Sequence, residues 1–515
     1  MKKFRFIVTF LIVLTMAALA GCSSNSQTSS STNSANTPKT VGKKIVNIGI
    51  SAFPPGVDPQ ISSAIYDEHV QHAIFDTLVE LDENGKIAPG LAKSFEVSPD
   101  GKTYTFVLNK GIKFHDGTDF NADAVKFNIE RDQADTSTRK AELSFVQSVT
   151  VVDPYTVKFQ LTAPYTAFLA VLTDRAGMMV SPEAVKKYGK DFNNHPVGTG
   201  AYIFVSSVNG DNIKLKKNPT YWKSKVKVDE LVFKVFTNES AKVQNLVSGQ
   251  VDIIDTIPAK EVATVKNNPN LTAIVKQGFG YQMFYVNTQT GALANKYLRQ
   301  AVNLGINREQ IVKVVYNGIG SPANSPFAPS HFAFGDSDKI DAPDAKVISD
   351  LLAKGGKPNG FTFTLSVGNS PVYEQLATVI KSMLEPYKIN VKIDLIEPTL
   401  VGTNGQSGKF EALAAQWSGR PDPDQNIFTF MVTGQPLNWP KISNPQLDDL
   451  IKQARFESDQ AKRKELYDKA MVIEHDEVPY IYLTHKYNTF GVSKKIKGYT
   501  YIGDGVIRTA NLDKQ

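Results

Sequence analysis

The segment from Trp417 to Asp424, WSGRPDPD, carries several side chains that could hold a ligand. It follows residues 412–415, which are predicted to form a strand. Trp417 offers an aromatic face, Arg420 a guanidinium, and Asp422 and Asp424 two carboxylates, on a loop that two prolines stiffen. Because ligand pockets combine an apolar lining with a few fixed polar groups, these four residues form a candidate pocket wall. The alternative is a rigid surface loop with a tryptophan packed beneath it.

Four further residues are weaker candidates for contact with a ligand. Phe53 begins a Phe-Pro-Pro segment after the first predicted strand, where it could line a cleft or form part of a turn. Tyr281 and Met283 follow the glycine-containing segment 277–280, and could face either a cleft or the core. Arg175 ends an apolar, helix-like run beside an aspartate, and such a charged pair is more often a surface feature.

The sequence lacks the motifs that common catalytic and nucleotide sites require. It contains neither HExxH nor GxSxG. The glycine-rich segment 402–409 has Ser407 where a P-loop needs glycine, and Ile203 stands where a dinucleotide fingerprint needs glycine. Residues 137–140 fit SxxK, but no KTG or SDN accompanies them. These absences disfavour an enzyme, and we expect neither catalysis nor a cofactor.

Metal ligands are equally scarce. Of the seven histidines, His69 and His72 share a helical face at i and i+3. Two ligands on one helix are a weak sign of metal, so we interpret both as solvated histidines and expect no metal site. The single cysteine, Cys22, excludes an intramolecular disulfide.

The composition is that of a globular protein, with 515 residues, 41% hydrophobic and 21% charged. This length predicts about three structural units. The 57 Lys and Arg residues exceed the 51 Asp and Glu residues, which gives a formal net charge of +6. These basic residues are scattered, whereas a nucleic-acid-binding protein concentrates them in a stripe. No nucleic-acid partner is therefore expected.

The N-terminus has the composition of an export signal. A basic segment (1–6), an apolar run (7–19) and small residues precede Cys22, and the run is short for a membrane span. Leu-Ala-Gly-Cys resembles a bacterial lipobox, in which cleavage precedes a cysteine that becomes lipid-modified. We predict a signal peptide over 1–21, a lipidated Cys22 and a flexible Ser/Thr/Asn-rich tether over 22–42. The alternative is a plain signal peptide with an incidental cysteine.

Hydrophobic periodicity predicts a mixed α/β protein after the tether. Strands are predicted at 45–50, 103–108, 149–152, 156–161, 212–216, 231–236, 361–367 and 390–396. Helices are predicted at 67–78, 240–247, 297–304, 308–316, 372–384 and 461–474, the last with Leu466, Ala470 and Ile473 on its inner face. The strand–helix–strand order of 361–396 favours a parallel pair of strands. Residues 277–280 fit a crossover hinge and an ordinary loop equally well.

Five segments together resemble the family 5 extracytoplasmic solute-binding proteins, which are the peptide, oligopeptide and nickel receptors of ABC importers. They are 91–117 (LAKSFEVSPDGKTYTFVLNKGIKFHDG), 196–202 (PVGTGAY, with Ala in place of the usual Pro), 218–222 (NPTYW), 248–252 (SGQVD) and 298–318 (LRQAVNLGINREQIVKVVYNG). Each segment is weak alone, but they occur in the family's order. The resemblance covers nearly everything from about residue 45 to 510.

The resemblance implies an α/β, two-lobed, type 2 periplasmic-binding-protein fold with an extra subdomain inserted in lobe I. Lobe I would hold residues 43–78, 197–277 and 487–515, the inserted subdomain 79–196, and lobe II 278–486. Residues 277–280 would be one hinge crossing and 487–490 the return.

The implied mechanism is capture of a peptide or peptide-like solute by closure of the lobes. The solute would then pass to an ABC permease driven by its ATPase subunits. We expect a monomer, held by its lipid alone at the outer face of the bacterial cytoplasmic membrane, or on the periplasmic side if the host has an outer membrane. A peptide-sensing lipoprotein without transport would have the same sequence features. Nickel or haem binding, known in the family, is disfavoured by the scarcity of clustered histidines.

One position departs from the family pattern. In peptide-binding relatives, an aspartate follows the tryptophan by three residues and pairs with the peptide's α-ammonium, whereas here Trp417 is followed by Arg420. A guanidinium there would repel an ammonium. Either Asp422 or Asp424 takes the ammonium from a shifted position, or Arg420 binds the carboxylate or phosphate of an amino-blocked or anionic solute.

Overall fold

A computed structural model describes residues 42–515. The predicted signal peptide, the lipidation site at Cys22 and nearly all of the predicted tether lie outside the described residues. Within residues 42–515, no helix combines the length and the apolar character that a membrane crossing requires.

The strands alternate with helices along most of the chain. The strands are β1 (Ile45–Ile50), β2 (Val79–Leu81), β3 (Ile87–Pro89), β4 (Ala92–Val97), β5 (Thr103–Leu108), β6 (Val146–Asp153), β7 (Thr156–Leu161), β8 (Tyr202–Val208), β9 (Asn212–Lys217), β10 (Glu230–Val235), β11 (Ile253–Ile254), β12 (Leu271–Val286), β13 (Ser321–Pro322), β14 (Phe361–Gly368), β15 (Ile389–Ile396), β16 (Ala412–Trp417), β17 (Tyr480–Ser493), β18 (Ile496–Lys497) and β19 (Asp513–Lys514).

Asparagine or aspartate side chains cap many of the helices, for example Asn307 and Asp459, by accepting first-turn N–H groups. The helices are α1 (Ile65–Ile74), α2 (Ala122–Asp132), α3 (Phe168–Val171), α4 (Pro182–Tyr188), α5 (Glu239–Val247), α6 (Val262–Asn267), α7 (Lys296–Gly305), α8 (Arg308–Val314), α9 (Ala345–Lys354), α10 (Pro371–Leu384), α11 (Leu400–Ser407), α12 (Asp424–Met431), α13 (Pro445–Phe456) and α14 (Gln460–Glu477).

The main sheet has the order β15-β14-β16-β12-β17-β11-β1-β10-β9-β8, with β13 paired to β17. The neighbours β14 and β15 are parallel, as the strand–helix–strand pattern predicts. The long strands β12 and β17 are antiparallel and occupy the middle of the sheet. A separate four-stranded antiparallel sheet has the order β4-β5-β7-β6.

Buried side chains form separate cores around these sheets. One surrounds β1, β9, β10 and α1, and we call this part lobe I. Two more cover the faces of β12, β14 and β16, and we call that part lobe II. A further core joins the four-stranded sheet to α2 and α3, and we call it the inserted subdomain. β12 and β17 are the strands that connect the lobe I core to those of lobe II.

All predicted strands are present, with ends that shift by at most about three residues. The helix predicted over 67–78 is wrong at its end, because α1 stops at Ile74 and Phe75 is extended. The predicted inner face of α14 is confirmed at Ala470, which is fully buried, and is wrong at its other two positions. Tyr467 and Met471 are fully buried there, whereas Leu466 and Ile473 are partly exposed. Arg463 and Glu474 share the buried face, so its polar residues mask the apolar stripe.

Residues 198 and 200 are glycines because this part of the chain lies against the end of α1. A Cβ on Gly198 would lie 2.2 Å from the carbonyl oxygen of Ile74, and one on Gly200 would lie 2.5 Å from the Ile74 carbonyl carbon. The Gly200 N–H donates to the same Ile74 oxygen at 2.9 Å. Side chains could not fit between these backbones.

Asp76 joins two of the family-like segments. Its carboxylate accepts hydrogen bonds from Thr199 Oγ1 at 2.8 Å, Tyr221 O–H at 2.9 Å and Trp222 Nε1 at 2.9 Å. These donors come from the PVGTGAY and NPTYW segments. The two segments therefore meet at one carboxylate.

We predict that Gly200→Ala lowers the free energy of unfolding by about 1–3 kcal/mol, because its methyl group would overlap the Ile74 backbone. Urea denaturation measures the change. Gly402→Ala is the matched control, since Gly402 lies in α11 with no atom within 4 Å of a new Cβ. The control should be neutral or stabilising by up to about 1 kcal/mol. Equal stability of Gly200→Ala and wild type would contradict the close approach.

Candidate functional site

A bulge interrupts the pairing of β12 and β17 where they pass between the lobes. Gln277 pairs with Tyr487 and Tyr281 with His485, so residues 278–280 face a single residue of β17. The segment 277–280 is thus part of a strand and not a loop. A Cβ on Gly280 would lie 2.5 Å from the Trp417 carbonyl oxygen. Glycine here lets the Trp417–Asp424 loop lie directly against the connecting strand.

A small cavity of about 20 Å³ lies beside this loop and draws its walls from both lobes and the inserted subdomain. This volume has room for about one water molecule and is far below the range for ligand pockets, so a solute must move the walls apart to enter. Most of the wall residues are polar or charged. They are Glu68, His72, Leu81, Thr173, Asp174, Gly419, Arg420, Pro421 and Asp504.

Arg420 crosses the cavity to Asp174. Its Nε lies 3.1 Å from Asp174 Oδ2, and its guanidinium stacks on the Trp417 ring with 4.9 Å between the group centres. Although burial lowers the pKa of Arg420, the carboxylates of Asp174 and Glu68 raise it above its usual value. Arg420 of the predicted pocket wall therefore lines a cavity, where it pairs with Asp174, the aspartate that the sequence analysis noted beside Arg175.

Arg175 lies directly behind this ion pair. It is 1% exposed, forms an ion pair with Glu68, and donates from Nη2 to the Ala64 carbonyl at 2.7 Å. Its predicted surface alternative is therefore wrong, because the side chain supports the acidic cavity wall from inside. Burial opposes ionisation of Asp174, but Arg420 and Arg175 hold its pKa well below the usual value. Burial, followed by repulsion from Asp174, raises the pKa of Glu68 to about 7.

Asp422 and Asp424 face arginines of lobe II instead of the cavity. Arg463 donates to both carboxylate oxygens of Asp422 at 2.5 and 2.8 Å. Arg455 donates to Asp424 through three contacts of 2.8–3.1 Å, and Asp424 is fully buried. Both carboxylates are engaged in bidentate pairs, so these contacts do not support either as the ammonium ligand.

The remaining candidates pack mainly in cores. Tyr281 and Met283 are buried in lobe II, where the Tyr281 hydroxyl donates to the Asn426 carbonyl at 3.1 Å. Phe53 is partly buried against the lobe I core. Trp417 is partly buried and presents its ring to Arg420. Of the predicted ligand contacts, Arg420 is the one that lines the cavity, with Trp417 and Arg175 supporting it from behind.

Asn426 and His331 fix the backbone of the loop that carries Arg420. The fully buried Asn426 amide accepts from Trp417 Nε1 and the Arg420 N–H, both at 2.9 Å. It also donates to the carbonyls of Arg420 at 2.8 Å and Asp422 at 3.1 Å. His331 accepts from the Ala328 N–H through Nδ1, which leaves Nε2 to donate to the Arg420 carbonyl at 2.9 Å.

The interpretation of His69 and His72 as solvated residues is wrong. His69 is buried, and its Nδ1 accepts the Ile507 N–H at 3.2 Å. Burial lowers its pKa to about 4. His72 lines the cavity, where burial and then Arg508 lower its pKa well below the usual value. Residues 42–515 contain no cluster of three or more His, Cys, Asp or Glu residues that could hold a metal ion.

A second contact joins lobe II to the inserted subdomain away from the cavity, and we call it the clasp. The Arg455 carbonyl accepts hydrogen bonds from the Thr166 N–H at 3.3 Å and from its hydroxyl at 3.0 Å. Phe456 packs edge-on against Phe145, with ring centres 6.0 Å apart. The Arg455 guanidinium also lies 4.8 Å from the centre of the Tyr165 ring.

His331 predicts a pH effect on stability. Burial lowers its pKa from 6.5 to about 4, so the unfolded chain takes up a proton there at a higher pH than the folded chain. This histidine contributes stability that is present above pH 6.5 and is lost as the pH falls towards 4. The stability difference between wild type and His331→Gln should therefore shrink by about 3 kcal/mol between pH 7 and pH 4.

Urea denaturation at several pH values measures this difference. A stability difference between wild type and His331→Gln that stays constant over this range would show that His331 is not a buried neutral group.

Comparisons with known proteins agree with this architecture. Residues 86–439 match the profile of bacterial extracellular solute-binding proteins, family 5. The glutathione-binding protein GsiB of Escherichia coli K12 is 30% identical over 475 residues, which cover 89% of this chain and 92% of that protein.

Two solved structures are similar over most of their length. The periplasmic binding protein DppA from Helicobacter pylori, in complex with peptide STSA, has a TM-score of 0.81 at 27% identity and covers 91% of this chain and 98% of its own. The binding protein AgaA from A. tumefaciens R10, in complex with agropinic acid, has a TM-score of 0.81 at 27% identity and covers 92% and 99%. The chain therefore belongs to family 5 of the bacterial extracellular solute-binding proteins and has their two-lobed type 2 periplasmic-binding-protein fold.

Proposed function

We propose that this protein captures a peptide or peptide-like solute between its lobes and delivers it to an ABC permease driven by ATPase subunits. The observation that carries the proposal is the charged cavity whose walls come from both lobes and the inserted subdomain. A ligand there touches the lobes on both sides, so it stabilises the closed conformation by its differential contacts. The solute is bound and released without a chemical step.

The relatives support this class of ligand. GsiB is named for glutathione, and the DppA structure holds the peptide STSA. The cavity residues fit such ligands, because peptides carry carboxylates for Arg420 and amino groups for the neighbouring carboxylates. Trp417 and Arg420 are the proposed ligand contacts from lobe II. Glu68, Asp174 and Asp504 are the proposed contacts from the opposite wall.

An amino-blocked or anionic solute is the second candidate. Arg420 stands where peptide-binding relatives carry an aspartate, and Asp422 and Asp424 are held by arginines. An anion at Arg420 would make the charge-assisted contact without needing any ammonium site. The AgaA relative, whose structure holds agropinic acid, supports this alternative.

The lobe boundaries of the sequence analysis complete the proposal. Residues 43–78, 197–277 and 487–515 form lobe I, 79–196 the inserted subdomain and 278–486 lobe II. Closure then takes place about residues 277–280 and 487–490. The bulge at residues 278–280 interrupts the pairing of β12 with β17 beside them. The protein acts as a monomer at the outer face of the cytoplasmic membrane, or on the periplasmic side if the host has an outer membrane. The same closure would serve a peptide-sensing lipoprotein without transport.

Thermal denaturation with a ligand panel tests the proposal. The protein is first unfolded and refolded to remove bound solute, and is then heated with di- to pentapeptides, their amino-blocked forms, anionic solutes and Ni²⁺. A true ligand at about 100 times its dissociation constant stabilises the protein by about 2.7 kcal/mol, which raises the melting temperature. Stabilisation by peptides supports the first candidate, whereas stabilisation by blocked or anionic compounds alone supports the second. Hydrolysis of any peptide would contradict both.

The anchor is tested at Cys22. The basic, apolar and Leu-Ala-Gly-Cys segments of the N-terminus support lipidation there. We expect wild-type protein in the membrane fraction of its host. We expect Cys22→Ser protein, expressed at the same level, in the supernatant after the membranes are washed. Ser23→Ala, next to the site, is the control and should remain with the membrane. Equal retention of Cys22→Ser and wild type would refute lipid anchoring at this cysteine.

A further inference from the structure

The ion pair between Arg420 and Asp174 has an unfilled side. Arg420 Nη1 donates within its own loop, to Ser418 Oγ at 3.0 Å and the Gly419 carbonyl at 2.8 Å. Nε faces Asp174 Oδ2 at 3.1 Å, and Nη2 has no hydrogen-bond partner among residues 42–515. Nε–H and Nη2 form one edge of the guanidinium, and this edge matches the two oxygens of a carboxylate. Arg420 thus offers a bidentate site that Asp174 fills only in part.

A ligand carboxylate on that edge would displace Asp174 from Arg420. Asp174 would keep the Arg175 backbone N–H, which donates to its Oδ1 at 2.7 Å, and the Arg175 guanidinium at 3.6 Å. That guanidinium already forms an ion pair with Glu68. One buried arginine would then serve two carboxylates, and an unpaired buried carboxylate is costly.

The charges of the opposite wall show what is missing. Besides Glu68 and Asp174, it contains Asp504, which pairs with Arg508 through both terminal nitrogens. His72 adds no charge near neutral pH, because burial and then Arg508 lower its pKa well below the usual value. Once Arg420 is occupied, three carboxyl groups face two arginines. A cation on this wall would bring Glu68, whose pKa burial and then Asp174 raise to about 7, into its charged form and balance it.

We infer that the solute is a zwitterion that inserts into the Asp174–Arg420 pair, with its carboxylate on Arg420 and its ammonium on the wall formed by Glu68, Asp174 and Asp504. The Asp174–Arg420 pair is replaced by two ion pairs, one between Arg420 and the ligand carboxylate and one between the ligand ammonium and the carboxylates of the opposite wall. Because the ligand is neutral overall, it adds no net charge to the cavity. This orientation is the reverse of that in the peptide-binding relatives, where the loop after the tryptophan takes the ammonium. The inference rests on the proposed function and narrows its solute class.

The test compares four forms of one tripeptide pool: both termini free, N-acetylated, C-amidated, and blocked at both ends. Glutathione is added as a single-compound probe, because a relative is named for it. Binding to the refolded full chain is measured by calorimetry. We expect either block alone to weaken binding by at least about tenfold, since each removes one charge-assisted contact.

Two variants assign each charge to its partner. In Arg420→Gln, amidation should no longer weaken binding, whereas acetylation still should. In Asp174→Asn, acetylation should weaken binding less than in wild type, whereas amidation still should. Asp119→Asn is the control, because it removes an exposed ion pair with Lys113 in the same subdomain and should bind all four forms as wild type does. Circular dichroism confirms that each variant is folded.

The possible outcomes distinguish a failure of this inference from a failure of the proposed function. The expected pattern in wild type and both variants supports the zwitterion and its orientation. Equal binding of the free and N-acetylated pools overturns the inference but leaves a receptor for anionic or blocked solutes. Loss of the amidation effect in Asp174→Asn instead of Arg420→Gln overturns the orientation alone. Failure of every pool and of glutathione to bind would overturn the proposed peptide function itself.

Discussion

The antiparallel pair of β12 and β17 is the constraint on which the rest of the structure depends. These strands are the longest in the described chain, with 16 and 14 residues, and they belong to the cores of both lobes. A two-stranded link resists shearing because its ladder hydrogen bonds would break together, yet it bends at the bulge over residues 278–280. In the proposed closure, this bulge is the point about which the lobes move. Gly280 of the same bulge lies directly against the backbone of the loop that carries Trp417 and Arg420. The bulge and the candidate site are therefore in direct contact.

The cleft is organised by pairing of buried charges. Asp174 faces Arg420 and Arg175, Asp422 faces Arg463, and Asp424 faces Arg455. Such pairs are seldom worth much net stability, but losing one partner is costly because the other charge stays buried. The arginines behind the loop hold Asp422 and Asp424 rigidly. The Asp174–Arg420 pair differs from them because its partners come from opposite walls and share a cavity.

The strands and helices that hydrophobic periodicity predicted are present in the structure, nearly all with ends within about three residues, because these elements bury a regular face. Periodicity failed where buried polar residues interrupt that face, as Arg463 and Glu474 do on α14. The spacing of Trp417 and Arg420 located one wall of the site. The opposite wall was recognised only in part. Asp174 was noted as the neighbour of Arg175, whereas Glu68 and Asp504 lie far apart in sequence and have no local signature. Asn426 and His331 were missed for the same reason, as their hydrogen bonds to the loop follow from tertiary packing.

The clasp has a consequence for the empty protein. Its contacts, between Thr166 and Arg455 and between Phe145 and Phe456, involve no ligand atom. In the proposed cycle, opening separates lobe II from the inserted subdomain, so these contacts raise the share of closed molecules before any solute arrives. A solute that requires the closed form loses less affinity when that form is already common, but it enters more slowly when few molecules are open. In this proposal, a stronger clasp makes the protein hold its solute more tightly, and a weaker clasp makes the solute exchange faster. The proposed permease would also have to supply the energy that separates these side chains.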